Sequence, residues 1–156
     1  MLRITKQTDY GIVLLTTLAA APARLWAASE LASEAHLPLP IVSKILKLLA
    51  RSGVLESHRG AKGGYQLATA PEQLSVASII DALEGPIAIT ECIDGTPGEC
   101  HQEAICSQRA NWQLINRAIR QALEQISLAD MARTEPAPKL VQLGSRPHSL
   151  LTLTPS

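Results

Sequence analysis

The chain has 156 residues, 46% hydrophobic and 18% charged, a balance that excludes a disordered protein and supports a core without disulfides. Aromatic residues make up 3%, with no Phe, which argues against an aromatic-rich β-sandwich and against a protein that stacks single-stranded bases. The formal net charge is zero but segregated: residues 1–70 hold eight Lys/Arg against four Asp/Glu, residues 71–107 hold seven acids and no Lys or Arg, and residues 108–156 hold six against three.

Arg3 and Lys6 precede an apolar run from Gly11 to Ala21 that has some features of a signal segment. The run is too short to span a bilayer and is diluted by Tyr10, Thr16 and Thr17. Residues 5–20 instead predict a helix with Ile12, Leu15 and Ala19 on its apolar face, ending before Pro22. Ser29 is expected to cap a short helix through Leu31, Ala32 and Ala35, stopped before Pro38. A third helix is expected to open with Pro40 at its first position, where a missing N–H costs nothing, and to close at Gly53. Its apolar stripe is Ile41, Val42, Ile45, Leu46, Leu48 and Leu49, leaving Ser43, Lys44, Lys47 and Arg51 outward.

Residues 54–57 and 65–68 predict two short strands around the basic, glycine-rich tip His58-Arg59-Gly60-Ala61-Lys62-Gly63-Gly64. Ser75 is expected to cap a helix carrying Val76, Ile79, Ile80 and Leu83, ended by Gly85-Pro86. The longest helical pattern runs from Ser107 to Ile126, with a coiled-coil-like seam of Trp112, Ile115, Ile119, Ala122 and Ile126 that suits a partner helix. Beyond Ala132 four prolines interrupt a polar tail, expected to be disordered. The fold class read from this order is mainly α with a small β-hairpin wing. It divides into a winged helix-turn-helix over residues 1–70, a cysteine-bearing loop and long C-terminal dimerisation helix over 71–131, and a tail over 132–156.

Helix, short helix, turn, amphipathic helix and hairpin is an order suited to double-stranded DNA. The second helix of the pair fits the major groove, and a basic wing tip can enter an adjoining minor groove or grip phosphates. From residue 39 to 66 five Lys/Arg face one acid, Glu56. Taken alone, Lys44, Lys47 and Arg51 would equally be the solvated face of a surface helix. In this order, with Ser43, Arg59 and Lys62 beside them, they predict an operator-binding surface. The glycines at 60, 63 and 64 precede a strand, so they make no nucleotide fingerprint, and no catalytic set of Ser, His and Asp is visible. An enzyme is not expected.

Cys92, Cys100 and Cys106 fall within fifteen residues of the acidic segment. Three readings stand: buried structural thiols, a redox switch, or a bound cation. A loop rich in Gly, Pro and acids does not suit apolar burial, and a stretch without bases offers a thiolate little help. A cation accounts for the acids and the missing bases together. Zinc would need His101, which directly follows Cys100, and the C-x7-C-x5-C spacing lacks the usual knuckle. Thiolate anchorage of an iron–sulfur cluster with a non-Cys fourth ligand fits better.

These residues add up to a resemblance. Arg3-Ile4-Thr5-Lys6-Gln7-Thr8-Asp9-Tyr10-Gly11, the helix around Ser43-Lys44, the wing His58 to Tyr65 and the three cysteines resemble the IscR/NsrR family of dimeric winged-helix repressors over residues 1 to about 131. Leu83-Glu84-Gly85-Pro86 and Ser127-Leu128-Ala129-Asp130-Met131 bring it nearest to regulators of SUF-type iron–sulfur assembly. The resemblance implies a cytoplasmic homodimer joined by the long helix, with no membrane and no small-molecule substrate, that senses a [2Fe-2S] or [4Fe-4S] cluster and represses transcription. It places Cys92, Cys100 and Cys106 at the cluster ligands. Isc-type regulators use a His three residues after the last Cys, where this chain has Arg109. In the nitric-oxide-sensing branch an Asp near the N-terminus of the partner subunit completes the site, and Asp9 falls there; it is equally placed as a helix-terminal carboxylate. Glu103 and His101 are the reserve ligands.

Overall fold

The computed structural model describes residues 4–90 and 106–133. In chain order it contains α1 (Lys6–Ala19), α2 (Ala28–Glu34), α3 (Leu39–Arg51), β1 (Leu55–His58), β2 (Gly64–Leu67), a 3-10 turn (Pro71–Gln73), α4 (Val76–Glu84), α5 (Arg109–Glu124) and α6 (Leu128–Met131). The molecule is mainly helical, with a two-stranded antiparallel hairpin in winged helix-turn-helix order.

Local chemistry sets the ends of these elements. Thr5 caps α1, its hydroxyl accepting from the Thr8 N–H. α2 begins one residue before Ser29, which lies inside the helix. The N-cap is Ala27, and the Glu30 carboxylate reaches back 2.8 Å to accept its N–H. That is half a capping box with no polar cap residue. Just past the Ala35 cap of α2 lies His36, which has φ +53°. The His36 and Leu37 N–H groups donate to the Ser33 and Ala32 carbonyls in a Schellman closure, and Pro38 forbids continuation. α3 starts at Leu39, so Pro40 sits at its second position. It ends in a second Schellman closure around Gly53, at φ +78°.

One core joins these pieces. Leu14, Leu15 and Leu18 of α1, Leu31 of α2 and Val42, Ile45, Leu46 and Leu49 of α3 are buried together with Ile79 and Leu83 of α4 and Leu128 of α6. Ile41, expected in that stripe, is instead 40% exposed. The core stripe centres on residues 42, 45, 46 and 49, and Ile41 lies off its edge.

α4 is fixed at both ends. The Glu84 carboxylate accepts from the Thr5 N–H at 3.2 Å, the Thr5 hydroxyl at 2.7 Å and the Thr8 hydroxyl. The Gln7 amide donates to the Leu83 carbonyl. At its start, Val76 N–H donates to Ile126 O at 2.8 Å and Leu128 N–H to Leu74 O at 2.7 Å, a clasp that returns the chain to the core. Ile126, expected to end the long helix, is part of this clasp. α5 packs on α4 through Arg120, which holds Asp81 by two hydrogen bonds of 2.7 and 3.3 Å, and on the segment after α4 through Asn116, whose amide donates to Ile87 O.

The apolar seam of α5 faces largely outward. Trp112, Leu114 and Ile115 are 41%, 45% and 44% exposed, Ile119 and Ala122 are half-buried, and Asn116 is the buried residue of the helix. No helix among the described residues is long and apolar enough to cross a membrane.

Candidate nucleic-acid interface

α3 presents its basic residues because its apolar ones are committed to the core. Val42, Ile45, Leu46 and Leu49 fix one face, which turns Lys44, Lys47 and Arg51 outward, all exposed, with Ser43 half-buried beside them. Pro40, Lys44, Lys47 and Arg51 follow one line at intervals of four, three and four residues. Sequence reading took Pro40 only as a helix opener, although its place on that line was visible in the spacing.

The wing owes its shape to glycines. Strands β1 and β2 pair Leu55 with Leu67, Glu56 with Gln66, Ser57 with Tyr65 and His58 with Gly64. Gly60 has φ +113° and its carbonyl accepts the Gly63 N–H at 3.0 Å. A Cβ at Gly63 would lie 2.2 Å from the His58 carbonyl oxygen, and one at Gly64 2.5 Å from that of Trp26. Both contacts are with backbone, so neither can be relieved by moving a side chain. Arg59 and Lys62 stand exposed at the tip.

Trp26 anchors the wing to the body, and sequence reading missed it. Its backbone pairs with Tyr65 by two hydrogen bonds of 2.9 and 2.8 Å. The Arg24 guanidinium stacks 3.8 Å from the Trp26 ring centroid and is tied to Glu30 at 3.0 Å. The residues of this brace lie 39 apart, and no local pattern announces it. The hydrogen bond from the Ala27 N–H, working against a smaller burial effect and helped by Arg24, holds the Glu30 carboxyl below its ordinary pKa.

The charge distribution follows. Among the described residues, Lys44, Lys47, Arg51, Arg59 and Lys62 take part in no ion pair, whereas Arg24, Arg120 and Arg133 are each held by a carboxylate. Glu56, the acid nearest the wing tip, accepts from the Gln66 amide at 2.8 Å and lies 3.6 Å from His58. A row of cations without ion-pair partners on one helix, beside a basic hairpin, has the charge to meet a polyanion.

The expected metal ligands are described only in part. Asp9 is exposed in the first turn of α1. Cys106 is a free, half-buried thiol whose carbonyl accepts the N–H of Arg109, the first residue of α5. Cys92, Cys100, His101 and Glu103 lie outside the described residues, as do residues 134–156 of the expected tail.

The sequence profile of the Rrf2 family, described as an iron-dependent transcriptional regulator, matches residues 4–134. The chain belongs to the Rrf2 family. It is 26% identical over 135 residues to the HTH-type transcriptional regulator NsrR of Halalkalibacterium halodurans, covering 86% of this chain and 92% of that one. Among solved structures it superposes on CymR, the global cysteine regulator of B. subtilis, with a TM-score of 0.66 and 27% identity, covering 85% and 97% of the two chains. It also superposes on T. potens IscR, with a TM-score of 0.62 and 26% identity, covering 83% and 85%. This Rrf2 chain is thus a helix-turn-helix transcriptional regulator of IscR/NsrR type, with the winged-helix fold expected from its sequence.

Proposed function

We propose that this Rrf2 regulator is a cytoplasmic homodimeric repressor of iron–sulfur assembly genes of the SUF type, and that it reads cluster supply through Cys92, Cys100 and Cys106 of one chain and Asp9 of the other. The supporting observation is the place of Cys106. It sits at the amino end of α5, in a 71–107 stretch with three thiols, seven acids and no Lys or Arg, and α5 is the helix whose apolar seam lies open. Sensor and dimer contact therefore begin at the same residue. Three soft thiolates and one carboxylate suit iron, and a cluster held there would supply a group whose integrity follows iron and oxidant levels.

The chain's own parts do the rest. α3 of each copy enters a major groove with Lys44, Lys47 and Arg51 on backbone or base edges, Ser43 beside them, and Arg59 and Lys62 reaching outward from the wing. Half-sites about 34 Å apart demand a fixed spacing of the two reading heads. Ligands drawn from both chains restrain that spacing, and a coupling of about 1–3 kcal/mol yields a 5- to 150-fold change in affinity.

Anaerobic purification of the full chain tests this reading, with an absorption spectrum, iron, sulfide and zinc counts, and operator binding measured on the same sample before and after cluster removal. Iron with acid-labile sulfide and a loss of operator affinity in the apo form are expected. Zinc without sulfide, or equal affinity in both forms, would replace the sensor with a zinc-stabilised or thiol-based repressor.

A further inference from the structure

The first turn of α3 departs from the rest of the basic face. Leu39 and Ile41 are 45% and 40% exposed, and Pro40 between them is exposed as well. That turn contains no acid, and its cap residue Pro38 makes no side-chain hydrogen bond. The first side chain of α3 able to donate or accept a hydrogen bond is Ser43. An apolar tip thus leads directly into the row Lys44, Lys47 and Arg51, which among the described residues has no carboxylate partner.

Whatever meets the row is anionic, so whatever meets the tip belongs to the same polyanion. In a duplex, the amino end of a groove-bound helix faces base edges. The apolar group displayed along those edges in the major groove is the C5-methyl of thymine. We propose that Leu39, Pro40 and Ile41 form a thymine-methyl reader, and that it sets sequence preference where the cations set affinity. This rests on the reading of α3 as the DNA-contacting helix. It assigns any preference for thymine in the site to contacts that need no hydrogen bond.

The test uses the full chain and a duplex selected by it from a random pool. Each thymine of the selected site is replaced by deoxyuridine, which removes the methyl and keeps the pairing edge. Binding is expected to weaken about fourfold for each contacted methyl, the worth of one buried methylene-sized group, at one or two positions per half-site. The Leu39→Ala/Ile41→Ala variant is expected to bind thymine and deoxyuridine equally at those positions while retaining its salt dependence. Methylating cytosines elsewhere in the site is expected to change nothing. Uniform indifference of the unaltered chain to deoxyuridine, or undiminished discrimination by the variant, overturns the methyl reader and leaves the tip to a protein partner. Failure to select any duplex is a different result and overturns the DNA reading with it.

Discussion

At the wing, a single missing carbon atom determines whether two backbone segments can meet. Gly64 lies against the Trp26 carbonyl so closely that a Cβ would stand 2.5 Å from its oxygen. Gly64→Ala therefore has to push β2 off Trp26, breaking the pair of hydrogen bonds to Tyr65. Overpacking of this kind costs about 1–3 kcal/mol. A thermal melt is expected to show that loss, and DNA titration a larger one, because the tip bearing Arg59 and Lys62 is no longer held in place. On α3, Lys44→Ala is expected to lower operator affinity and to reduce the slope of log K against log salt by about 0.9, the share of one neutralised phosphate. An unchanged slope would place Lys44 outside the contacts with the backbone. Much of this surface was legible from residue type alone, since Lys44, Lys47 and Arg51 repeat at helical spacing and the wing glycines punctuate a basic stretch. Trp26 was not legible, because its role depends on Tyr65 and on the ring stacking of Arg24, neither of which leaves a periodic trace.

Among the elements, α1 and α4 form the most polar junction. Burial pushes the Glu84 carboxyl up, but hydrogen bonds from the Thr8 hydroxyl and from the Thr5 hydroxyl and N–H outweigh it, and its pKa falls below the ordinary 4.5. A carboxyl with a depressed folded pKa gives stability that is complete above its unfolded value and is lost as pH falls through the folded one. Acid unfolding below about pH 4.5 is therefore expected to be steeper in the native chain than in Glu84→Gln. Thr5→Ala, which removes both a cap and a Glu84 partner, is expected to cost about 1 kcal/mol, or about 2–4 °C in Tm. Coincident acid transitions for the native chain and Glu84→Gln would remove this junction from the acid response. The start and end of α3, the cap of α4 and the stop at Gly85 could be read from proline, serine and glycine. α2 could not be bounded in the same way. Its start is held by Glu30 reaching back to an alanine, so Ser29 was the misleading signal. α6 is too short for periodicity, and its trace in the sequence is the Ser127/Asp130 capping box.

For the molecule as a whole, the open seam of α5 is the main unsettled surface. Trp112, Leu114 and Ile115 all stand exposed on a helix whose buried residue is the polar Asn116, and a second copy of α5 is the occupant proposed above. Trp112→Asp with Ile115→Asp is expected to convert the dimer to a monomer by light scattering, with the far-UV spectrum retained and half-site cooperativity lost. A monomeric native chain would instead make the seam a contact for another partner. The seam itself was visible in the three- and four-residue spacing. The same spacing, with polar residues beside it, favoured a partner helix over the core, and the exposure of Trp112 and Ile115 agrees with that reading.

The clasp between residues 74–76 and 126–128 has a wider consequence. Between Gly85 and Ile126 the chain carries α5, held to the body by Arg120 on Asp81 and Asn116 on Ile87, and it rejoins the core at a point secured by two backbone hydrogen bonds, with Leu128 buried beneath. The described ends of that stretch are fixed at Ile87, which Asn116 holds, and at this clasp. Lengthening such a tethered stretch is inexpensive, about 0.6 kcal/mol for each doubling. An insertion between those two fixed ends is therefore expected to leave the helix-turn-helix body folded, with a thermal melt close to that of the native chain.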